Sequence, residues 1–441
     1  MSARAGFVCG RGEDLGFRAT VISVRDRLGA LQEPRFRLLW TAQACSSVGD
    51  VMVPVAIVFA VIEISGSASE IGIVLAAQLF ARATLMLVGG VWADRLPRQW
   101  VMLTSDLVRG ASQSLGAVLL LTGHAEVWHL AVLAAVHGGA AAFFVPASTG
   151  LVPDTVSAAR LQQANALMVL SRNALGIAGP AISGLLVGAF GAGWVYAIDA
   201  VSFAASASFL ARLPTVRDEE PRQSRRFLAD LAAGWRELTA RTWLWTSIAY
   251  FSVFNVAFAS FFVLGPLVCQ RDLGGAKAWG LIMAGASVGA VAGSALGLRV
   301  HPSRPLVFAY LIISACALEP LLLVPPAPAV VVAVGAALAM TSLTISTTLW
   351  VTALQQHVPR EAISRVSAYD WMGSLIFAPV GFALAGPTAG WLGINATLLL
   401  AAGILIGSNL AIVAVPSVRA VRRRPSEPVT PVELLPKVQP M

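Results

Sequence analysis

Several ionisable side chains stand inside stretches of the chain that are otherwise apolar: Asp50, Arg82, Asp106, Arg109, His137, Arg172, Asp199, Glu319 and Asp370. In hydrocarbon such groups cost at least ~2.5–3.5 kcal/mol each on insertion scales, so each must face a partner or a water-filled cavity. The chemistry open to them is the holding and releasing of protons and ions. A group that couples proton movement to a change of shape carries a proton in one conformation and loses it in the other. Asp50, His137 and Glu319 are the candidates for that role. Asp50 lies halfway along its apolar stretch, and Gly49 beside it admits close packing or a solute; a fixed salt bridge to Arg82 or Arg172 is the alternative reading. An imidazole titrates near neutral pH in water, which suits proton traffic at His137, although a lone histidine in a helix also serves as hydrogen-bonded packing. Glu319, next to Pro320, reads as a peripheral or outward-cavity acid. Asp106 and Arg109 have the spacing of an ion pair on one helical face and read as structural.

The elements that must position these groups follow from composition. A chain of 441 residues with 57% hydrophobic and 12% charged residues, and a mean hydropathy of +0.74, fits no soluble class. A helix needs about 20 apolar residues to cross a hydrocarbon core of ~30 Å. The sequence meets that length at 37–63, 70–92, 100–121, 126–147, 164–189 and 192–212, and again at 242–268, 278–298, 305–325, 328–352, 366–389 and 391–415. The expected fold is therefore an all-α integral membrane protein of twelve transmembrane helices in two six-helix halves. Its divisions are an N-terminal tail (1–34), the first half (35–212), a polar linker (213–241), the second half (242–415) and a C-terminal tail (416–441). In the linker, Phe227, Leu231, Trp235 and Leu238 recur at helical spacing between charges, as in a helix lying at the membrane interface.

The net charge of +8 raises the question of a nucleic-acid partner, but the basic residues follow topology instead. Most of the 31 lysines and arginines fall in the termini and in alternate connections, with Arg271 and Lys277 in the opposite set. Because cytoplasmic loops retain Lys and Arg, both termini are expected in the cytoplasm and the protein in the plasma membrane. Residues 1–33 lack the long apolar core of a cleavable signal. The four cysteines lie in separate segments and indicate neither a disulfide nor a metal cluster, and no cofactor is implied. There is no zinc-type HExxH, no GxSxG and no phosphate-binding glycine loop, so the chain is not read as an enzyme.

The connection after the second span reads Gly89-Gly90-Val91-Trp92-Ala93-Asp94-Arg95-Leu96-Pro97-Arg98. It resembles the G-x-x-x-D-R-x-G-R loop of the major facilitator superfamily, with Gly90, Asp94, Arg95 and Arg98 matching and Pro97 in place of a glycine. In that family the loop serves as a cytoplasmic gate latch. The fifth span carries Gly176, Gly179, Pro180, Gly184 and Gly188, similar to the family's antiporter motif; Gly176, Pro180, Gly184 and Gly188 recur every fourth residue, a face that permits close helix approach or simply packing. Phe143 to Ala147, Ala164 to Leu167, Asp199 to Phe203 and Arg365 to Ser367 are similar to the drug, macrolide and siderophore exporter branch. An arginine expected in the fourth span is missing; Ala134 or His137 stands in that turn.

The resemblance implies a secondary active transporter working by alternating access, and the reading is a proton-coupled exporter of hydrophobic or amphipathic small molecules. Its partners are a small-molecule solute, protons and the lipid bilayer, and a monomer is compatible with this. Phe254, Asn255, Phe258 and Phe261 on the seventh span are candidates for the solute cavity, since aromatics supply area and an amide one polar contact; the same residues are equally suited to face lipid. Import or facilitated diffusion of a metabolite, and a non-transporting receptor or scaffold, are the alternatives.

Overall fold

The computed structural model describes residues 29–214, 235–359, 366, 369–370, 373 and 377–423, with the side chains of 87–95 and of 158 outside the description. Among the described residues the spans are helical. The first is split into Pro34–Asp50 and Val53–Ile64, and Ala68–Arg95, Arg98–Leu121, Val127–Thr155, Leu161–Phe190 and Ala192–Ala211 complete the first half. The second half holds Thr242–Val268, Ala276–Gly297, a broken ninth span from Pro305 to Leu321, Ala329–His357, Ala378–Leu392 and Ile394–Ala414. Nine of these helices or helix pairs are long and apolar enough to cross a membrane. The third span is not among them because its interior carries the polar residues of the candidate site; the ninth is interrupted, and the start of the eleventh lies largely outside the described residues. The fourth helix continues through Pro146 and Pro153 to Thr155, beyond the end expected at 147, because Gly and Pro within a span are tolerated where neighbours supply the lost contacts.

The break in the first span has a local cause. Pro54 has no N–H to give and its ring crowds the preceding turn, so the helix restarts at Val53. Ser183 of the fifth span donates to the Met52 carbonyl at 2.7 Å, which pins the break to the fifth span.

Packing differs between the two ends of the molecule. At the end away from the chain termini, one apolar core joins both halves, with Phe59 and Ile71 from the first half against Phe261, Leu264 and Trp279 from the second. Glycines bring the backbones together there: a Cβ on Gly72 would lie 2.1 Å from the Phe382 carbonyl oxygen, and one on Gly184 would lie 2.4 Å from that of Ala276. At the end that carries the termini the cores are separate, one around Phe36, Met102 and Leu151, the other around Tyr250, Tyr310 and Trp350. The halves thus meet at one end and part at the other.

Short segments brace the open end. Glu33 accepts hydrogen bonds from the Ser157 backbone N–H at 2.9 Å and its hydroxyl at 2.7 Å, with Arg160 at 3.6 Å. The Ser157 hydroxyl bond, helped by the backbone bond and Arg160, holds the Glu33 carboxyl below the usual carboxylate range. Beyond the twelfth span, Arg419 donates to the Val413 and Ala414 carbonyls at 2.8 and 2.7 Å. Of the linker positions expected to form an interfacial helix, Phe227 and Leu231 lie outside the described residues; Trp235 packs against Tyr369 with ring centroids 5.7 Å apart, and Leu238 is buried.

Candidate functional site

The third span places Asp106, Arg109 and Gln113 at successive turns of one buried face. The sixth span presents Asp199, Ser202 and Ser206 in the same way, the fourth supplies His137, and the first supplies Asp50 at the last residue before its break. These four helices converge on one guanidinium. Arg109 bonds Asp106 and reaches Asp50 Oδ2 at 3.1 Å. Its planar head lies between the rings of Phe144 and Phe203, each centroid 4.4 Å away, an arrangement that keeps the charge favourable in a water-poor site. The second Asp106 oxygen accepts from Ser206 Oγ at 2.5 Å.

A second arm runs from the same aspartate. His137 Nε2 lies 3.5 Å from Asp50 Oδ1. On the other side of the imidazole, His137 Nδ1 is 3.4 Å from Gln113 Nε2, which also donates to Asp199 Oδ2 at 2.7 Å. Ser202 Oγ adds a bond to Asp199 Oδ1 at 3.2 Å. Gly49 is required here: a Cβ at that position would lie 1.8 Å from Asp199 Oδ1. Accessibility separates the acids. Asp106 and Asp199 are 0% exposed, whereas the Asp50 side chain is 34% exposed. The arrangement can hold ions in a fixed array behind one partly exposed carboxylate.

Several expected residues stand elsewhere. The salt bridge of Asp50 goes to Arg109, in place of Arg82 or Arg172, because the third span turns its basic residue inward. Arg82 is exposed and acts on Asp50 only electrostatically, and Arg172 lines a narrow cleft with Trp40, Gln43 and Ser47. Glu319 is 1% exposed within the second half, and its Oε2 has no hydrogen-bond partner among the described residues. Asp370 accepts from Trp350 Nε1 at 2.9 Å, tying the eleventh span to the tenth. In the gate loop the side chains of Gly90, Asp94 and Arg95 lie outside the described residues; Arg98 donates to the Gly150 carbonyl at 2.6 Å and to Asp154 at 2.9 Å, joining the third span to the fourth.

On the fifth span Gly184 and Gly188 meet the eighth, at Ala276 and Lys277, and the Pro180 carbonyl approaches Gly280; Gly179 instead meets Val51, and Gly176 meets nothing within 4 Å. Of the aromatic candidates, Phe254, Phe258 and Phe261 are all buried in the apolar cores, at 2%, 9% and 1% exposure, and Phe258 stacks on Phe254 at 5.3 Å. Asn255 is half-buried and donates to the Phe251 carbonyl at 2.9 Å. Gln113 and Ser206 were not singled out from sequence, and Phe144 and Phe203 stood there only within exporter-like strings, with no role at a charged site. The signal for Gln113 was its place four residues after Arg109 and seven after Asp106, on one face.

The family model of the Major Facilitator Superfamily matches residues 39–376. An uncharacterised MFS-type transporter of Bacillus subtilis is 29% identical over 42% of this chain, which spans 45% of that relative. The multidrug efflux pump Tap of Mycobacterium tuberculosis is 26% identical over 88% of this chain and 94% of its own length. Among solved structures, a bacterial homolog of the human lysosomal transporter Spinster, in an inward-facing and unoccupied conformation, has a TM-score of 0.69 at 15% identity, covering 89% of this chain and 99% of that one.

Proposed function

The chain belongs to the major facilitator superfamily, and from that premise we propose that it is a proton-driven exporter of hydrophobic or amphipathic small molecules in the plasma membrane. It is a multi-pass membrane transporter and not an enzyme. The finer reading rests on one observation above the others: Asp50, accessible from the cleft, is held by Arg109 at 3.1 Å and faces His137 at 3.5 Å. A carboxylate released from a guanidinium when protonated, and recaptured when bare, is a switch that a proton can throw. That the Tap relative is a multidrug efflux pump supports the export direction.

In this reading 35–212 and 242–415 are the moving halves, 213–241 joins them, and the tails 1–34 and 416–441 lie in the cytoplasm. The distribution of basic residues supports a cytoplasmic position for the open end of the cleft. A solute enters there and reaches the wall formed by the first and seventh spans, where Asn255 is the proposed contact. Rocking of the halves opens the other end, at the Gly72 and Gly184 contacts. The solute leaves, Asp50 takes a proton from outside, and return of the halves delivers that proton to the cytoplasm. Asp94, Arg95 and Arg98 are proposed to latch the cytoplasmic end when it closes.

The test is accumulation of a panel of lipophilic dyes and antibiotics in cells expressing the protein, with and without a protonophore. Lower accumulation that the protonophore abolishes is expected. Lower accumulation that persists with the protonophore would remove the proton from this reading, and higher accumulation would reverse the direction.

A further inference from the structure

Arg172 differs from Arg109 in having no partner. It enters no ion pair, hydrogen bond or ring contact among the described residues, yet it stands more than ten residues from either end of Leu161–Phe190. At ~1.5 Å per residue that is ~15 Å or more, too far for the side chain to reach the headgroups. An unpaired guanidinium at such depth must face water or a ligand. Its surroundings show which way it faces. Arg172 shares a narrow cleft with Trp40, Gln43 and Ser47 of the first span and with Ser171 beside it. Gly176, one turn further along the same face, meets nothing within 4 Å, so the fifth span is uncovered at this level and the cleft opens between the halves.

The first-span wall of the cleft is also short of partners. Gln43 is only 9% exposed, and neither its amide nor the Ser47 hydroxyl makes a hydrogen bond among the described residues. Trp40 is the exception: its Nε1 donates to Ser171 Oγ at 3.0 Å, which fixes the indole as an apolar wall. An amide and a hydroxyl left open beside one guanidinium supply donors in excess and a full positive charge, and a carboxylate matches that set. Its two oxygens meet the guanidinium fork and keep lone pairs for the amide and the hydroxyl. We propose that Arg172, Gln43 and Ser47 form the subsite that takes the carboxylate of the transported solute, which narrows the amphipathic solutes to acids. Trp40, Gln43, Ser47 and Asp50 fall at successive turns of one face of Pro34–Asp50. A solute anchored at Arg172 therefore passes Asp50 with a neutral or basic part, since the Asp50 carboxylate repels a second acid.

The subsite rests on the transport reading only in calling its ligand a solute; its test is binding without a gradient. Full-length protein in phosphatidylcholine nanodiscs is titrated with dansylglycine, its neutral amide dansylglycinamide and the cation dansylcadaverine, following dansyl fluorescence against empty nanodiscs. Wild type is expected to hold dansylglycine about tenfold or more tighter than the amide. Arg172→Gln is expected to bring the two within about twofold, and Gln43→Met to lose about threefold of the affinity for the acid. Removal of Arg172 strands no charge partner, and Gln43→Met keeps the length of the side chain, so one variant checks the other. Arg82→Gln removes an equal charge at the middle of Ala68–Arg95, outside the cleft, and is expected to keep the preference. No binding of the acid by wild type, an equal or stronger hold on the amide or the cation, a preference that survives Arg172→Gln, or one lost equally in Arg82→Gln overturns the inference. Carboxylate binding by a protein that exports no dye would fail the export reading and leave the subsite intact; protonophore-sensitive export with no preference for the acid would do the reverse.

Discussion

The two halves share a helical plan and differ in what they bury. The first half buries an ion array in which Asp50, Asp106 and Asp199 surround Arg109 and His137. The second half buries neutral polar pairs and rings: Tyr250 Oη donates to Asn409 Oδ1 at 2.5 Å, Asn409 Nδ2 donates to Ser314 Oγ at 2.9 Å, and Tyr250 lies edge-on to Tyr310 at 4.8 Å. Its fully buried acid, Glu319, stands outside any ion pair among the described residues. One bundle therefore buries paired charge and the other mostly neutral polar groups and rings, and the proposed proton switch belongs to the first.

The comparison breaks first at Arg109. Arg109→Leu strips Asp106 of its charge partner in a fully buried site, and a loss of about 3–5 kcal/mol is expected from thermal unfolding in detergent; a loss below ~1 kcal/mol would mean the array is not load-carrying for the fold. Asp50→Asn keeps the shape and removes the accessible acid. Its expected effect is loss of the pH-dependent part of dye export with dye binding still detectable by fluorescence, and retention of that pH dependence would move the coupling role elsewhere.

The second half should respond differently. Tyr250→Phe leaves Asn409 Oδ1 short of a donor in a buried site and should cost about 1–3 kcal/mol of stability, with the pH profile of export unchanged; a shifted profile would put proton chemistry in both halves. The smallest effect is at the braces. A carboxyl held low in the folded protein contributes stability above its unfolded titration range and loses it as pH falls through its folded range. Glu33→Gln should therefore lower the melting temperature slightly at neutral pH, with the difference vanishing in acid. Arg419→Gln, at the brace of the second half, should show no such dependence, because Arg419 bonds backbone carbonyls.

Much of this plan was legible in the residues. The span positions follow from runs of apolar side chains, and the Asp106–Arg109 pair follows from spacing within one helix, since both are local properties. The third span was read at 100–121 although its mean hydropathy is low, and only the structure shows that its polar face is paired inside the bundle. Phe254 and Phe261 were legible as aromatic but not as buried, because the rotation of the seventh helix is decided by its contacts with the eleventh and twelfth.

The sequence by itself determined which segments lie in lipid, where they turn and which polar groups are carried into the membrane, because hydrocarbon admits only helices long enough to cross it and punishes unpaired charge at any depth. Only the tertiary structure decided that Asp50 answers to Arg109, that Gln113 stands between His137 and Asp199, and that the halves join at the end away from the termini. Those outcomes depend on the rotation and approach of helices distant in the chain, and glycines such as Gly49, Gly72 and Gly184 set that approach by removing a single atom at each contact.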